Sequence, residues 1–231
     1  WHESGGNPFS DNAEAYYGTD LRNKVLQQKP IRKSGEYYDY ISSSTQLLTL
    51  VLEKATGETL SSYFQEKIWS KIGTSAPAYW NLDKEDGIEK GYCCLYATTR
   101  DFAKIGILVN QNGNWNGEQI VPEWYIKESF TPASIKTLSK KPNQRYGLHW
   151  WLVPSDADTI RYARGIQGQY IAVIPSENII VVRTGHNRTS DYEKVPSDAD
   201  EFPAIIRPQV GHPPDLFIYL RTALRLSKEA H

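Results

Sequence analysis

The sequence predicts an α/β fold of the α+β type, in which helices flank an antiparallel sheet and a helical subdomain precedes it. Apolar residues recur at helical spacing through the segment 43–130, whereas the alternation typical of strands begins only at Tyr146. The amphipathic spacing of residues 213–230 predicts a closing helix. A chain of 231 residues is long enough for one domain with a sizeable core.

The composition argues against several classes of function. A net charge of −1 gives no reason to expect a nucleic-acid or membrane-surface partner. No apolar run approaches the length of a membrane span, and the five histidines lack the spacing of metal ligands. Cys93 and Cys94 are adjacent, and because neighbouring cysteines rarely pair we expect no disulfide. The compartment (periplasmic, secreted or cytoplasmic) and the oligomeric state stay open.

The N-terminal part of the chain predicts a loop followed by a helix. Residues 1–34 are polar and broken by glycine and proline, which predicts a long loop with one short helix over 20–27. Residues 43–56 carry apolar side chains at helical spacing, and Gly57 is a typical stop. We expect this helix to bury four apolar side chains, those of Leu47, Leu48, Val51 and Leu52. Three serines could cap its N-terminus, namely Ser42, Ser43 and Ser44.

Two further helices are predicted. Thr59 can cap a helix that runs to about Lys71. Thr98 and Asp101 form the pattern of a capping box at the start of the next helix. Asp101 could be a catalytic acid, but the cap gives it a sufficient role near the positive helix end, so we interpret it as structural. Trp80 lies in the turn-rich segment between these helices, where it can pack or line a cleft.

The C-terminal part predicts strands and a last helix. Three β-rich runs, over 146–153, 160–175 and 178–186, are split by turn signals and predict an antiparallel meander of three strands. Glycines within the run 163–169 would let another backbone or a ligand approach closely, unless they only form a bulge. In the last helix we expect five side chains to face inward, those of Leu216, Phe217, Leu220, Ala223 and Leu224.

The segment 35–48 carries the first candidate for chemistry. It places Tyr40 two residues before Ser42, at the entrance of a predicted helix. A phenol on a rigid turn can take or give a proton when a cation lowers its pKa. As one of 15 tyrosines, Tyr40 could also simply pack under a loop.

These segments resemble the serine β-lactamase-like hydrolases, a family that includes class C β-lactamases, family VIII esterases, penicillin-binding-protein relatives and 6-aminohexanoate-dimer hydrolases. The stretch Tyr40–Ser42 resembles the Tyr-x-Asn/Ser element of the family, and its serine is closest to the 6-aminohexanoate-dimer branch. The helix pair over 57–73 and the block over 91–130, with its Gly-Asn-Trp-Asn-Gly turn, are similar to family segments in the same order.

The resemblance covers nearly the whole chain and implies the β-lactamase/transpeptidase-like fold. Residues 1–231 would be the C-terminal portion of one catalytic domain. Residues 1–144 would form the cleft loop and the helical region, and residues 145–231 the last three strands and the C-terminal helix.

The resemblance also implies roles for single residues. Tyr40 would be the general base and acid, Ser42 would orient Tyr40 or the substrate amide, and the Ile166 N–H would be half of an oxyanion hole. Six further residues would contact a small ester or amide substrate, namely Trp1, Glu3, Trp80, Arg164, Gly165 and Gln167. No metal or cofactor is implied.

The sequence departs from the family pattern at two places. Ala163 stands where the family carries Lys or His, which would help to bind a substrate carboxylate, so a β-lactam is a less favoured substrate. No serine has a lysine three residues later, although Ser-x-x-Lys supplies the family's nucleophile. Because the chain begins at Trp1, we expect the nucleophile on a preceding segment, without which residues 1–231 would be inactive and would fold poorly.

The function predicted for the intact protein is therefore that of a serine hydrolase that works through an acyl-enzyme on a small ester or amide. The alternative is a homologue without a nucleophile, a non-catalytic binding protein on the same fold, for example for peptidoglycan-like ligands.

Overall fold

The computed structural model describes residues 14–15, 17–30, 32–155, 158–187, 206–209 and 211–229. The chain divides into two compact units. The first unit comprises Trp1–Ala97 with Ile135–Pro142, and the second comprises Thr98–Ser134 with Asn143–His231. The predicted division at 144/145 does not coincide with these boundaries, because the helix that begins after Thr98 packs on strands of the second unit.

The first unit is mainly helical. With elements numbered along the whole chain, its helices are α1 (Leu21–Leu26), α2 (Ser42–Thr56) and α3 (Leu60–Phe64), and α3 continues as a π-helix over Gln65–Trp69. Its strands are β1 (Tyr37–Tyr38), β2 (Tyr79–Trp80), β3 (Leu95–Tyr96) and β6 (Lys136–Thr137). Strand β1 pairs in parallel with β6, and β2 pairs antiparallel with β3. A small apolar core joins α1 and α2 through Leu21, Val25 and Leu50.

Helix α2 confirms the predicted helix, including its stop at Gly57, where φ is 77°. The predicted buried face is wrong. The buried side chains of α2 are Ser43, Gln46, Thr49 and Leu50, whereas Leu47, Leu48 and Val51 are exposed and Leu52 is half-buried. The reason is a pair of hydrogen bonds, in which Gln46 Nε2 donates to Glu89 O and Gly91 N donates to Gln46 Oε1, both at 2.9 Å.

The prediction for the N-terminus of α2 is also wrong. None of the three serines lies at the N-cap position, which is occupied by Ile41 with φ −133° and ψ 117°. Ser42 is already the first helical residue, so its side chain stands in the first turn and no side chain caps the helix. The prediction for the next helix is confirmed, because the Thr59 side chain accepts a hydrogen bond from Ser62 N at 3.2 Å.

The prediction that the adjacent cysteines stay unpaired is wrong. Cys93 and Cys94 form a disulfide. In extended backbone, successive side chains would point to opposite sides. Here Cys94 has a φ of +70°, so the backbone turns sharply and brings the two sulfur atoms together.

The second unit is built on a four-stranded antiparallel sheet with the order β10–β9–β8–β7. These strands are β7 (Trp151–Pro154), β8 (Thr159–Gly165), β9 (Gln169–Ile174) and β10 (Ile179–Arg183). The short strands β4 (Asn114–Trp115) and β5 (Glu118–Gln119) form a separate pair. The helices of this unit are α4 (Thr99–Asn110), α5 (Glu123–Ser129) and α6 (Pro214–Glu229).

The sheet corrects the predicted number of strands from three to four. The run over 160–175, interpreted as one strand, folds back on itself at a 3-10 turn over Ile166–Gly168. The two halves pair in register, with Arg161 opposite Val173 and Gly165 opposite Gln169. The glycines of this run therefore belong to a hairpin turn.

Both faces of the sheet are covered by apolar side chains. One face carries Ile160 and Tyr162 and packs on the buried side chains of α6, which are Leu216, Phe217, Leu220 and Leu224. This confirms the predicted inward face of the last helix, except that Ala223 is half-buried. On the other face, Leu152 and Val173 pack with Val109 of α4 and Ile126 of α5.

The predicted cap by Thr98 at the start of α4 is confirmed, and Asp101 bonds back to it through the side chains. Thr98 Oγ1 accepts a hydrogen bond from Asp101 N at 3.1 Å and donates one to Asp101 Oδ2 at 2.9 Å. Lys104 Nζ lies 3.0 Å from the other carboxylate oxygen, Asp101 Oδ1. The carboxylate of this fully buried aspartate is thus held by its own helix.

Candidate active site

The first candidate segment lies in the first unit, where the chain passes from β1 into α2. Tyr40 follows β1 by two residues and is 44% exposed, and Ser42 opens the helix and is half-buried. An ion pair between Arg32 Nη1 and Asp39 Oδ2, at 3.1 Å, ties this connection to the preceding loop. The phenol of Tyr40 is therefore accessible from solvent on a segment that is held at both ends.

The second candidate segment lies in the second unit, at the tip of the β8–β9 hairpin. Gly165 ends β8 and Ile166 begins the 3-10 turn, with its side chain 65% exposed. The turn is tight because Gln167 has a φ of 62° and Gly168 a φ of 77°. Left-handed backbone of this kind favours glycine, and it directs successive peptide groups in ways that a strand does not allow.

Gly165 is required by a close approach within the hairpin. A Cβ atom added there would lie 2.9 Å from Cβ of Gln169, the residue opposite it in the register. Any side chain at position 165 would therefore push the two strands apart just before the turn. This accounts for the glycine on packing grounds and leaves the turn open to a ligand.

The hairpin tip is braced from the neighbouring strand. Arg183, at the end of β10, donates from Nη1 to Gln167 O at 2.8 Å and to Gly168 O at 2.7 Å. The side chain of Gln169 bonds to both backbone groups of Gly185, accepting from Gly185 N at 2.9 Å. These contacts hold the carbonyl groups of Gln167 and Gly168 in place, so the N–H groups of the same peptides, which belong to Gly168 and Gln169, have fixed directions.

Arg164 and Ala163 lie on opposite faces of β8. Arg164 shares the face of Tyr162, and its guanidinium lies 5.4 Å from the ring centroid of Trp151. Ala163, which takes the place of the Lys or His expected from the resemblance, lies on the other face. The charge of Arg164 therefore lies on the opposite face of β8 from the position where the Lys or His of the family would stand.

Trp80 lies on β2 in the first unit, where its indole both donates hydrogen bonds and lines a groove. Its Nε1 donates to Lys90 O at 3.0 Å and to Cys93 O at 2.7 Å. Its half-buried ring also lines a groove of about 280 Å³. The packing role is thus observed, and the predicted contact of Trp80 with substrate stays a prediction.

Two predicted substrate contacts, Trp1 and Glu3, lie outside the residues that the structure describes. In the described ranges no helix combines the length and the apolar character needed to cross a membrane. The same ranges contain no group of three or more His, Cys, Asp or Glu side chains placed to hold a metal ion.

Sequence reasoning missed a buried polar cluster in the second unit. Tyr162 Oη and His212 Nδ1 are 2.8 Å apart, and Tyr170 Oη donates to Asp215 Oδ1 at 2.9 Å. Burial, together with the positive charges of Arg145 and Arg164, lowers the pKa of His212 to about 4. The imidazole is therefore neutral at physiological pH. No local pattern indicates this cluster, because the hydrogen-bonded partners are 50 and 45 residues apart.

The comparisons with known proteins agree with the sequence motifs. The family described as Beta-lactamase matches residues 2–200. The 6-aminohexanoate-dimer hydrolase of Paenarthrobacter ureafaciens is 24% identical over 161 residues, which cover 65% of this chain and 39% of that protein. An uncharacterized protein of Alkalihalophilus pseudofirmus is 24% identical over 195 residues, 72% of this chain and 56% of its own.

Solved structures share the fold. A candidate 6-aminohexanoate-dimer hydrolase from Bacillus anthracis has a TM-score of 0.66 and 24% identity, over 74% of this chain and 47% of that chain. The octameric penicillin-binding protein homologue from Pyrococcus abyssi has a TM-score of 0.55 and 19% identity, over 94% and 48% respectively. The fold is thus of the β-lactamase/transpeptidase-like type, and the chain spans about half or less of these two structures.

The family match, the hydrolase relative and the shared fold agree with one another. Because the family match covers most of the 231 residues, the chain belongs to the beta-lactamase family.

Proposed function

We propose that this protein is a serine hydrolase that cleaves a small ester or amide through an acyl-enzyme. The observation that carries the proposal is the braced tip of the β8–β9 hairpin. A backbone N–H that is fixed before the reaction stabilises a developing oxyanion without reorganisation. Arg183 and Gln169 hold the residues that follow Ile166 in the turn, which supports a well-ordered Ile166 N–H, and family membership supports the reaction class.

The roles in the reaction follow from the chemistry of acyl transfer. A serine hydroxyl attacks the carbonyl carbon while Tyr40 accepts its proton, and the carbonyl oxygen takes the negative charge. The Ile166 N–H donates to that oxygen, and Tyr40 returns the proton to the leaving alcohol or amine. Water then attacks the acyl-enzyme by the same path. Ser42, which opens α2 next to Tyr40, would orient the phenol or the substrate amide.

The nucleophile in this proposal belongs to a part of the protein outside the 231 residues, which contain no Ser-x-x-Lys. Substrate contacts would come from Arg164, Gly165 and Gln167, together with Trp1 and Glu3. With alanine at position 163, a linear amide or ester is favoured over a β-lactam, whose carboxylate would lack its expected partner.

A second candidate function rests on the same missing motif. If the intact protein has no Ser-x-x-Lys, the covalent step is lost, and the braced turn and Tyr40 can only position a ligand. The protein would then be a binding protein on a hydrolase fold, for example for peptidoglycan-like ligands.

The test compares the product of the full reading frame with residues 1–231 alone. Both are treated with a fluorophosphonate probe, an aryl ester, a linear 6-aminohexanoate dimer and a chromogenic β-lactam. We expect labelling and turnover in the longer product alone, and loss of both when the serine of its Ser-x-x-Lys is changed to alanine. Labelling of the 231-residue chain would contradict the assignment of the nucleophile. No turnover by either form would favour the binding protein.

A further inference from the structure

A groove in the first unit lies between the end of α3, the π-helix and the β2–β3 pair. Its volume is about 280 Å³. Three aromatic side chains form its wall and floor, namely Phe64, Trp69 and Trp80, and three polar side chains stand at its rim, namely Ser61, Ser62 and Gln65. A groove whose lining is about half apolar and half polar suits small amphipathic ligands.

The aromatic rings are set at different angles around the groove. The ring centroids of Phe64 and Trp69 are 5.6 Å apart with an interplanar angle of 40°, and those of Phe64 and Trp80 are 6.1 Å apart at 82°. Trp69 is only 3% exposed and forms the floor, while the other two rings are half-buried. The rings therefore support one another, and Trp80 keeps part of its surface accessible.

The polar end of Trp80 is already satisfied. Its Nε1 donates to two backbone carbonyl groups, Lys90 O and Cys93 O. The second of these belongs to the disulfide-bonded pair Cys93–Cys94, whose sharp backbone turn is covalently fixed. The indole is thus immobilised before any ligand arrives and can offer a ligand only its ring, which favours stacking over hydrogen bonding.

The π-helix explains how polar and aromatic groups come to share this groove. Ser70 N donates to Gln65 O at 3.1 Å, which is the wider turn of a π-helix. Gln65 and Trp69, at the two ends of this turn, both line the groove. Single π turns inside helices occur frequently at functional sites.

The charge of the groove restricts the ligand. Among the described residues that line it, none is charged, and the exposed rim offers two hydroxyl groups and one amide. A charged ligand would lose hydration here without a compensating partner. A purely aromatic ligand would leave the rim groups without hydrogen bonds when it displaced their water.

We infer that this groove binds a neutral sugar ring, stacked on Trp80 and hydrogen-bonded to Ser61, Ser62 and Gln65. A sugar ring has an apolar C–H face and hydroxyl groups around its edge, which matches an aromatic wall with a polar rim. The volume is at the lower end of the range for ligand pockets and suits a single ring. The inference does not depend on the proposed hydrolase activity.

The test titrates the protein with methyl glucoside and cellobiose, and in parallel with glucuronate and phenol. Binding is followed by the indole N–H resonances of Trp80 and Trp69. We expect the two neutral sugars to shift both resonances and the anionic sugar to bind more weakly. Trp80→Ala should weaken sugar binding about tenfold or more, as loss of an aromatic anchor does. Trp124→Ala, at a 69% exposed tryptophan of the second unit, should leave it unchanged.

A second variant keeps the test decisive if Trp80→Ala unfolds the protein. Ser62→Ala combined with Gln65→Ala retains the aromatic wall and removes exposed rim groups only. We expect it to weaken sugar binding and to spare phenol binding. Shifts produced by phenol but by neither neutral sugar would overturn the ligand class. No shift of the Trp80 resonance with any of the four probes would overturn the site.

Discussion

Tyr40 is the residue on which the proposed chemistry most depends. Tyr40 lies at the entrance of α2 and is 44% exposed. Burial in a core therefore does not by itself explain why a tyrosine stands at this position. If it transfers the proton, Tyr40→Phe should lower kcat by about 10²–10⁴-fold in the intact enzyme, the usual range for the loss of a general acid–base group. Steady-state kinetics on the best ester or amide substrate would measure this.

The control for this substitution is Tyr125→Phe, which removes the same hydroxyl from a 41% exposed tyrosine on α5. It should leave kcat unchanged. Turnover by Tyr40→Phe equal to that of the parent would rule out proton transfer by Tyr40 and would leave Ser42 or another group in that role.

His212 makes stability depend on pH. Burial and two nearby arginines lower its pKa from 6.5 to about 4, so between these values the unfolded chain binds a proton that the folded chain does not. The stabilisation is therefore fully present above about pH 6.5 and is lost as the pH falls towards 4. A shift of this size corresponds to about 3 kcal/mol in the free energy of unfolding.

Urea unfolding of His212→Gln over this pH range would check the prediction. The difference in unfolding free energy between parent and variant should shrink as the pH falls, because only the parent has the histidine to protonate. The exposed His186 supplies the control, since His186→Gln at the surface should leave the free energy of unfolding at neutral pH nearly unchanged. A constant difference between parent and His212→Gln would show that the imidazole titrates normally.

Single residues were predictable from the sequence where their partners are close along the chain. Thr98 bonds Asp101 three residues later, and Thr59 bonds Ser62 at the same distance. The buried contact of His212 could not be predicted, because its partner Tyr162 is 50 residues away. The same holds for the hairpin tip: a short motif drew attention to Gly165 and Ile166, but the brace of the turn, Arg183, comes from another strand.

At the scale of elements, α2 shows how a long-range polar contact overrides an amphipathic pattern. Gln46 is fully buried and bonds two backbone groups, at Glu89 and Gly91, whereas the adjacent Leu47 is 45% exposed. Gln46→Ala should therefore lower the free energy of unfolding by about 1–2 kcal/mol, since it removes two buried hydrogen bonds. Gly91 N and Glu89 O keep the bond of 3.0 Å between them. Leu47→Ala should change the free energy of unfolding by about 0.5 kcal/mol or less.

Chemical denaturation of the two variants compares the two faces of one helix directly. The hydrophobic spacing alone predicts the reverse order, with the leucine as the sensitive position. A larger loss for Leu47→Ala than for Gln46→Ala would mean that the exposed face of α2 is covered in the protein in solution.

The N-terminus of α4 gives a second prediction at this scale. Thr98→Ala removes the cap and should cost about 1 kcal/mol. Asp101→Asn should cost more, about 1–3 kcal/mol, because it takes the charge from a buried carboxylate that pairs with Lys104 and Thr98. Thermal unfolding would measure both changes. Neither should alter kcat, and a fall in kcat at an unchanged melting temperature would reassign Asp101 to the chemistry.

The strands were harder to predict than the helices. The run over 160–175 reads as one strand because its alternation continues on both sides of Ile166–Gly168. The fold-back depends on Gln167 adopting left-handed backbone, which glutamine rarely does and which the contacts from Arg183 stabilise. Helices α2 and α6 carry enough turns for their spacing to be decisive, whereas a hairpin turn of three residues does not.

At the scale of the whole molecule, the boundary between the units could not be predicted from spacing. The distant segment Ile135–Pro142 belongs to the first unit, because its strand β6 pairs with β1. The two strands are about a hundred residues apart along the chain. Such pairing has no signal in the local sequence. The family resemblance could be recognised from short motifs in order along the chain, and it indicated the fold where periodicity could not.

The single disulfide of the described chain should contribute little to the stability of the molecule as a whole. A disulfide stabilises mainly by restricting the unfolded chain, and one between adjacent residues closes the shortest possible loop, which is worth about 1 kcal/mol. The second unit does not contain this disulfide, and the buried apolar side chains on both faces of its sheet hold it together.

Treatment with a phosphine reductant should move the urea midpoint only slightly. Iodoacetamide should then add two groups to the reduced protein, where it added none before reduction. A drop in unfolding free energy of more than about 3 kcal/mol would contradict the loop argument. It would mean that Cys93, through its bond to Trp80, stabilises the first unit by fixing the native structure and not by restricting the unfolded one.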